Sequence, residues 1–295
     1  MKNTLKLSAI FFICAFVQSC QKDIEDINSP LIPPVITTHD SVTRLSKLIF
    51  FEDGTLATDT TAYRQYFYDS LNRVISIKHY DYLNGNPIFA EIVVYFYTGN
   101  DSIAYKLTHE VVDPSNPDPD TDTSFFFYDN LQRLIKDSSI SSIGLQVSNY
   151  TYSNTMITAM IRSVTNSDPL NPYMEKDTGF IGSAGDIIKT NSLTSTGEYY
   201  INNFTYDNHQ NPFNQLNIRS TYNPVPGFNF FIEDHYLQKN NVVSLTYENQ
   251  SFPGLIDNDA YTYTYNASGF PETVNISFES VPVDNYKIVF VYRRI

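Results

Sequence analysis

From about residue 42 onward, the chain alternates short apolar runs with clusters of polar turn residues. The runs are rich in Tyr, Phe, Ile, Val and Thr, and Asp, Asn, Ser, Gly and Pro separate them. No window keeps the 3.6-residue hydrophobic period of an amphipathic helix, whereas alternation with period 2 is typical of a half-buried strand. The pattern predicts an all-β fold for residues 42–295.

One strand-turn-strand motif recurs in this region. Residues Tyr66–Ile75 read YFYDSLNRVI, and residues Phe126–Ile135 read FFYDNLQRLI. Weaker or partial copies begin at Tyr95, Tyr150, Phe204 and Tyr263. The aromatic residues that precede the expected turns lie at 68, 97, 128, 152, 180, 206, 236 and 265, where Phe180 and Tyr236 are assigned by spacing more than by motif. The spacing indicates a repeat of about 28 residues.

Each repeat is interpreted as one β-hairpin. The aromatic-x-Tyr pair places two rings on one face of a strand, and the Asp or Asn that follows starts a turn by bonding its own backbone. About eight hairpins and a last strand near 287–292 predict roughly 16 to 18 antiparallel strands. Because a twisted sheet of this size curls, we expect an antiparallel β-meander that forms a large barrel-like or open spiralling sheet.

The links between hairpins are expected to be longer and richer in Pro than the turns within them. Such segments occur at residues 113–122, 166–172, 223–227 and 252–258. This arrangement predicts tight turns along one end of the sheet and variable loops along the other, where binding residues usually lie.

The first twenty residues carry the parts of a secretory signal peptide. Lys2 and Lys6 precede an apolar run of about eleven residues, which is too short to span a membrane as a helix. The run ends in Val17-Gln18-Ser19-Cys20, which resembles a bacterial lipobox in which Cys20 is lipidated. The alternative is an ordinary signal peptide with an incidental Cys. We therefore expect a signal peptide at 1–19, a lipidated tether at 20–41 and a single repeat-built β domain at 42–295.

Two further segments resemble known families. The tract Gln21–Asp26 is similar to the acidic export tract of Bacteroidetes-type surface lipoproteins, and the motif Tyr-Asp-x-Leu-x-Arg at 68–73 and 128–133 resembles the YD repeats of Rhs-type surface proteins. With the lipobox, the chain resembles uncharacterised Bacteroidetes lipoproteins with a porin-like β fold. The resemblance implies an outer-membrane location, on the periplasmic or extracellular face, and it brings no catalytic residue with it.

The charge and cysteine content exclude several kinds of chemistry. The chain has 32 acidic and 19 basic residues and a formal net charge of −13, which becomes −15 when Lys2 and Lys6 leave with the signal peptide. Such a charge argues against a nucleic-acid partner. Cys14 also leaves with the signal peptide and Cys20 carries lipid, so thiol catalysis, a thiolate zinc site and a disulfide are excluded. We expect no cofactor.

Two groups of residues are candidate binding sites. Carbohydrates stack on aromatic rings, but rings repeated in every hairpin are better explained by packing within the sheet. These candidates are Tyr66, Tyr68, Tyr128, Tyr263 and Tyr265. Clustered carboxylates at Asp118, Asp120 and Asp122 could bind calcium, although the segment lacks the EF-hand pattern and a solvated acidic loop is favoured.

No other motif indicates catalysis. The five histidines lack metal-binding spacing, and Gly182-Ser183-Ala184-Gly185 is interpreted as a hairpin turn rather than a nucleophile elbow. An integral outer-membrane barrel is disfavoured because the strands do not keep an apolar-out, polar-in alternation.

These observations favour a non-enzymatic, lipid-anchored protein with a structural or binding role, attached to the membrane through Cys20 and with a glycan or protein partner at the cell surface. The alternatives are a glycan-binding accessory protein of a nutrient-capture system and, less favoured, a carbohydrate-active hydrolase.

Overall fold

The computed structural model describes residues 43–52, 60–112, 120–216, 218, 223–226, 235–252, 254–279 and 286–295. The signal peptide and the lipidated Cys20 lie outside these residues, so both remain predictions.

The described residues form sixteen antiparallel strands. Each strand pairs with its neighbours in sequence, and β1 pairs with β16, so the sheet closes into a barrel. The strands are β1 (Thr43–Glu52), β2 (Thr60–Tyr68), β3 (Val74–Leu83), β4 (Asn86–Tyr97), β5 (Ala104–Val111), β6 (Asp120–Tyr128), β7 (Leu134–Ile140), β8 (Gly144–Tyr152), β9 (Met156–Thr165), β10 (Asp168–Ile181), β11 (Ile187–Thr194), β12 (Tyr199–Gln210), β13 (Asn240–Asn249), β14 (Ile256–Tyr265), β15 (Pro271–Phe278) and β16 (Tyr286–Arg294). The predicted all-β meander is confirmed, and of the two expected sheet forms the barrel is the observed one.

The two ends of the barrel differ. One end, here called the turn end, holds the tight turns that follow β2, β4, β6, β8, β10 and β14. The first described residue, Thr43, and the C-terminal residue, Ile295, also lie at this end, because β1 begins and β16 finishes there. The opposite end is here called the mouth end. It also contains tight turns, such as the one at Asn84 and Gly85, with positive φ values of 52° and 76°, and the one at Asn166 and Ser167. The predicted restriction of tight turns to one end of the sheet is therefore wrong.

The repeated YD motif forms the turns of the turn end. Asp69 Oδ1 accepts hydrogen bonds from the backbone N–H groups of Leu71 and Arg73, at 2.9 and 3.0 Å. Asp69 Oδ2 lies 2.7 Å from the Arg73 guanidinium, and Asn72 takes the left-handed conformation with φ of 61°. The second copy repeats this geometry with Asp129, Leu131, Gln132 and Arg133. The motif therefore specifies a turn.

The structure corrects two expectations about the links and one about the repeat. The segment 166–172 is a turn at Asn166 and Ser167 followed by strand β10, whose pairing with β9 is interrupted between Asp168 and Tyr173. Pro169 and Pro172 fit in that interruption because Pro cannot donate a ladder hydrogen bond. The predicted acidic loop at 113–122 is also wrong at its end, since β6 begins at Asp120.

The third correction concerns the aromatic at 236. Phe180 precedes a turn as predicted, in which Gly182 to Gly185 reverse the chain. Tyr236 instead lies in the long connection between β12 and β13. The fixed spacing failed there because this connection replaces a tight turn.

The connection between β12 and β13 fills the turn end of the barrel. We call its described residues (211–216, 218, 223–226 and 235–239) the plug. It begins with a 3₁₀ helix at Pro212–Gln215. Its apolar side chains pack into the cores formed by inward-facing strand residues, and these are Phe213, Leu216, Ile218, Val225 and Tyr236.

Polar contacts tie the plug to the barrel wall. Gln238 Oε1 accepts the backbone N–H of Ile187 at 2.7 Å, and Asp186 Oδ1 accepts the backbone N–H of Lys239 at 2.5 Å. A Cβ added at Gly179 would lie 3.1 Å from Ile187 Cδ1 and 3.4 Å from Val225 Cγ1, so the plug packs closely against the wall there. The plug is thus packed and bonded as part of the core.

Candidate functional site: a polar lumen above the plug

The inner face of the barrel changes character along its axis. Near the turn end it is apolar and packs on the plug, with residues such as Leu48, Val74 and Leu245 fully buried. Towards the mouth end the same faces carry polar and charged side chains, many of them half-buried or exposed. Strand alternation places every second residue in the lumen, so one face of each strand contributes both regions. The mouth half is the candidate site.

One side of this lumen, here called the acidic wall, is formed by β10 to β14. Its carboxylates are Glu175, Asp177, Asp257 and Asp259 on inner faces, and Glu198 just before β12. Among the described residues, no Lys or Arg lies on the inner face of these five strands. The wall therefore has a local negative charge that no basic side chain on it compensates.

Two of these carboxylates have strongly raised pKa values. Burial, with a smaller effect from Glu175, raises the pKa of Asp177 to about 7, although bonds from Ser192 and Asn223 oppose the shift. Burial, followed by the neighbouring Asp257, raises the pKa of Asp259 to about 7. In each case an acidic residue two positions away shares the same strand face. Both carboxyl groups are thus destabilised in their ionised form.

Three oxygen atoms of this wall are buried without a hydrogen-bond partner among the described residues. They belong to Asp177, Asn202 and Asp259, which are 3%, 1% and 3% exposed, and in each the atom is Oδ1. The Asn202 amide nitrogen does have a partner, since it donates to Thr190 Oγ1 at 2.9 Å. Leaving a buried acceptor unpaired costs about 1–3 kcal/mol. We therefore expect these oxygens to accept hydrogen bonds from a ligand.

Tyrosine rings line the same wall. Tyr200 and Tyr247 stack with their ring centroids 5.8 Å apart, and both are half-buried. The Tyr200 hydroxyl donates to Glu198 Oε2 at 2.7 Å, and the Tyr173 hydroxyl donates to Glu175 Oε2 at 3.3 Å. Rings and carboxylates therefore alternate along the wall.

The opposite side of the lumen, formed by β2 to β6, has mixed charge. Arg64 lies 3.6 Å from Glu91, and His109 Nε2 lies 2.9 Å from the same carboxylate. The hydrogen bond from His109 is the main cause of the lowered pKa of Glu91, and Glu91 in turn raises the pKa of His109. Here the basic groups are matched by acidic partners, in contrast to the acidic wall.

The tyrosines predicted as ligand contacts all lie inside the barrel. Tyr66 is 1% exposed and belongs to the apolar core. The hydroxyls of Tyr68 and Tyr128 donate to backbone carbonyls of Leu45 and Ala104. Tyr263 packs against the core, and Tyr265 stacks on His209 and bonds Asp207. Their contacts are those of structural residues, in line with packing within the sheet.

The predicted calcium ligands do not form a cluster in the described residues. Asp118 lies outside them. Asp120 Oδ1 accepts from Ser142 Oγ at 2.8 Å, and Asp122 faces His109 at 3.9 Å. Within the described residues, no group of three or more His, Cys, Asp or Glu side chains is arranged to hold a metal ion.

A separate cavity of about 210 Å³ lies at the turn end, between the plug and the wall. Its lining is largely apolar and includes Tyr152, Ile157, Ile187, Pro224 and Leu237. We interpret it as a gap in the packing between the plug and the wall.

The outer face of the barrel carries polar side chains on some strands and apolar ones on others. On β12 to β15 it consists mainly of Ser, Thr and Asn, for example Thr205, Ser244, Thr246, Asn258, Thr262, Thr264, Thr273 and Asn275. On other strands, lysines lie over phenylalanine rings, as Lys106 does 4.8 Å from Phe96. The outer face also exposes large apolar side chains, among them Phe127, Met156, Met160 and Val291.

No helix among the described residues is long and apolar enough to cross a membrane.

Comparisons with known proteins found similarity only among solved structures. No family model matches the chain, and no curated protein matches it. A porin-like protein from Bacteroides vulgatus is 11% identical, with a TM-score of 0.49, and the alignment covers 85% of this chain and 99% of that one. A porin-like protein from Bacteroides uniformis is 12% identical, with a TM-score of 0.39, and 84% and 98% are covered. Function must therefore be argued from the residues of this chain.

Proposed function

We propose that this protein is a lipid-anchored, non-enzymatic binding protein of the outer membrane. In this proposal the barrel is surrounded by water and forms a cup, which the plug closes at the turn end and which binds a ligand in its mouth half. The observation that carries the proposal is the contrast between the two ends of the barrel. The turn end is filled by the plug, and the mouth end encloses polar side chains with unpaired buried acceptors. A cup of this kind retains a ligand, whereas a porin conducts solutes through an open lumen.

The position of the N-terminus supports the same function. The barrel begins at Thr43, at the turn end. An anchor on the N-terminal side of Thr43 would therefore be joined to the barrel through its plugged end. The Ser, Thr and Asn side chains on the outer face of β12 to β15, with the lysines on other strands, support a barrel that is tethered to the membrane rather than inserted in it.

Lipidation is tested by feeding an alkynyl fatty acid to cells that express the full-length protein. The expected result is label on a mature chain whose first residue is Cys20. Cys20→Ser should abolish the label, and the matched control Cys14→Ser, in the apolar run of the signal peptide, should keep it. Label that survives Cys20→Ser would refute the anchor.

The cup is tested by planar-bilayer recording and by solubility. The protein should give no channel conductance, and a chain starting at residue 21 should remain monodisperse without detergent. Stable single-channel currents, or a requirement for detergent, would show that the barrel is an inserted pore.

A second candidate function is glycan binding as an accessory protein of nutrient capture. The observation that favours it is the stacked pair Tyr200 and Tyr247 beside carboxylates in the lumen. A glycan array with the wild type and with Tyr247→Ala tests it. Retained glycans that are lost in the variant would support this candidate, and turnover of a retained glycan would contradict the absence of catalysis.

A further inference from the structure

We infer that the acidic wall binds a polyamine, an extended organic ligand that carries several ammonium groups. This inference rests on the proposed binding function and names the ligand class of the cup. It combines the charge of the wall, its unpaired acceptors, the spacing of its carboxylates and its tyrosine rings.

The charge of the wall selects a cation. Five carboxyl groups share the wall with no Lys or Arg on the inner face of β10 to β14 in the described part of the chain. On the opposite wall, Arg64 and His109 are already engaged with Glu91. A cleft lined by one sign of charge concentrates ligands of the opposite sign. An anionic ligand would meet only repulsion along β10 to β14.

The unpaired atoms require a ligand that donates hydrogen bonds. Asn202 provides evidence independent of the carboxylates, because its Oδ1 is a neutral acceptor, buried and unpaired among the described residues, on the same inner face. Asn202 lies opposite Tyr247, which in turn lies opposite Asp257. Ammonium groups have donors only, and each offers up to three, so they match acceptors that have no donor among the described residues.

The spacing of the carboxylates excludes a single metal ion held by both acidic pairs. Asp177 lies on β10 and Asp257 on β14, and four inter-strand steps separate them by about 19 Å along the sheet. Calcium ligands must all lie about 2.3–2.6 Å from the ion. Two acidic groups so far apart instead match charges spaced along an extended molecule.

The tyrosine rings suit the same ligand. Tyr200 and Tyr247 lie between the two acidic pairs in strand order, on β12 and β13. The face of an aromatic ring attracts an ammonium group or its flanking methylenes, with about 0.5–2 kcal/mol for each contact. A polyamine alternates these two chemical groups along its length.

Isothermal titration of the full-length lipidated protein in a neutral detergent tests the inference, with spermine as the probe. Spermine should bind saturably and more weakly as NaCl is raised. The double variant Asp177→Asn with Asp257→Asn should weaken binding at least tenfold. The control Glu248→Gln removes the same kind of charge from the outer face of β13 and should leave binding unchanged.

A second pair of variants separates ring contacts from structural effects. Tyr247→Phe keeps an aromatic face and should bind spermine within about twofold of wild type, whereas Tyr247→Leu should bind several-fold more weakly. Equal binding by both variants would remove the ring from the site.

Parallel titrations with CaCl₂ and with the neutral oligosaccharide maltohexaose distinguish the possible failures. No heat with spermine, or calcium binding that the acidic variants abolish, overturns the polyamine inference. Saturable maltohexaose binding without spermine binding also overturns it while leaving the proposed cup standing. Failure of the anchor and channel tests would instead refute the proposed function itself.

Discussion

The hydroxyl of Tyr97 donates a 2.7 Å hydrogen bond to the backbone carbonyl of Val74, at the start of the neighbouring strand. The Arg73 guanidinium lies over the same ring at 4.4 Å. The tyrosines that end β2, β6 and β8 make the same kind of bond, from Tyr68 to Leu45, Tyr128 to Ala104 and Tyr152 to Leu134, and Tyr206 within β12 bonds Ile187 in the same way. These bonds explain why the motif keeps Tyr in that position.

We predict that Tyr97→Phe lowers the free energy of unfolding by about 0.5–1.5 kcal/mol, because one hydrogen bond is lost while the ring and its contact with Arg73 remain. Urea denaturation measures the change. Tyr105→Phe, at an exposed tyrosine on β5, is the control and should change stability by less than about 0.5 kcal/mol. Equal effects from both variants would contradict the structural role of the hydroxyl.

The turn carboxylate is predicted to contribute more than an exposed one. Asp69→Ala leaves the N–H groups of Leu71 and Arg73 without their acceptor and removes the partner of the Arg73 guanidinium. We expect a loss of about 1–2 kcal/mol in the free energy of unfolding. Asp101→Ala, in the next turn, removes the same charge as a control. The prediction fails if the midpoint of urea unfolding moves equally for the two.

The acidic wall is predicted to lower the stability of the fold at neutral pH. The folded pKa of Asp177 is about 7, above its ordinary value of 3.8, so the native state binds a proton that the unfolded chain has lost. Stability should therefore fall as the pH rises from about 4 to 7 and then level off. Burial is the main cause of the raised pKa, Glu175 reinforces it, and hydrogen bonds from Ser192 and Asn223 oppose it.

Asp177→Asn should accordingly increase the free energy of unfolding by about 1–3 kcal/mol at pH 8 and have little effect at pH 4, since one unit of pKa difference is worth about 1.4 kcal/mol. Urea denaturation at both pH values measures this. The same substitution should weaken spermine binding, which separates folding from ligand recognition. A destabilised variant at pH 8 would show that the carboxylate holds the wall together.

The pKa values of Glu91 and His109 are predicted to depend on each other. Glu91 raises the pKa of His109, so that part of its stabilisation is complete below pH 6.5 and is lost as the pH rises through the folded pKa. The lowered pKa of Glu91 acts in the other direction, and its stabilisation is lost as the pH falls through that value. NMR titration should give His109 a pKa above 6.5 in wild type and a lower one in Glu91→Gln. An unchanged value in the variant would contradict the pairing.

The plug is predicted to be part of the folding core. Phe213 is 2% exposed and lies 6.2 Å from Phe290, between ring centroids. Phe213→Ala should lower the free energy of unfolding by about 3–5 kcal/mol. Phe252→Ala, at an exposed phenylalanine of the mouth end, should have an effect near zero. An unchanged free energy of unfolding in Phe213→Ala would show that the plug does not contribute to the stability of the barrel.

The sequence by itself determined the local structure of this protein. Alternation with period 2, the aromatic-x-Tyr pairs and the Asp-initiated turns depend only on neighbouring residues, and they correctly predicted an antiparallel meander of about sixteen strands. The inward position of Tyr66 and Phe126 also follows from alternation once one face is known to be buried.

Only the tertiary structure decided how the barrel closes and where its charges meet. The β1–β16 pairing joins residues about 250 positions apart in sequence, and no local pattern specifies it. The plug was missed because its buried side chains lack any period. The acidic wall was missed because Asp177, Asn202 and Asp257 come together through the register of five strands. A pair of acidic residues two positions apart is common in any strand. Only the closure of the sheet into a barrel makes the inner faces of β10 to β14 line one lumen.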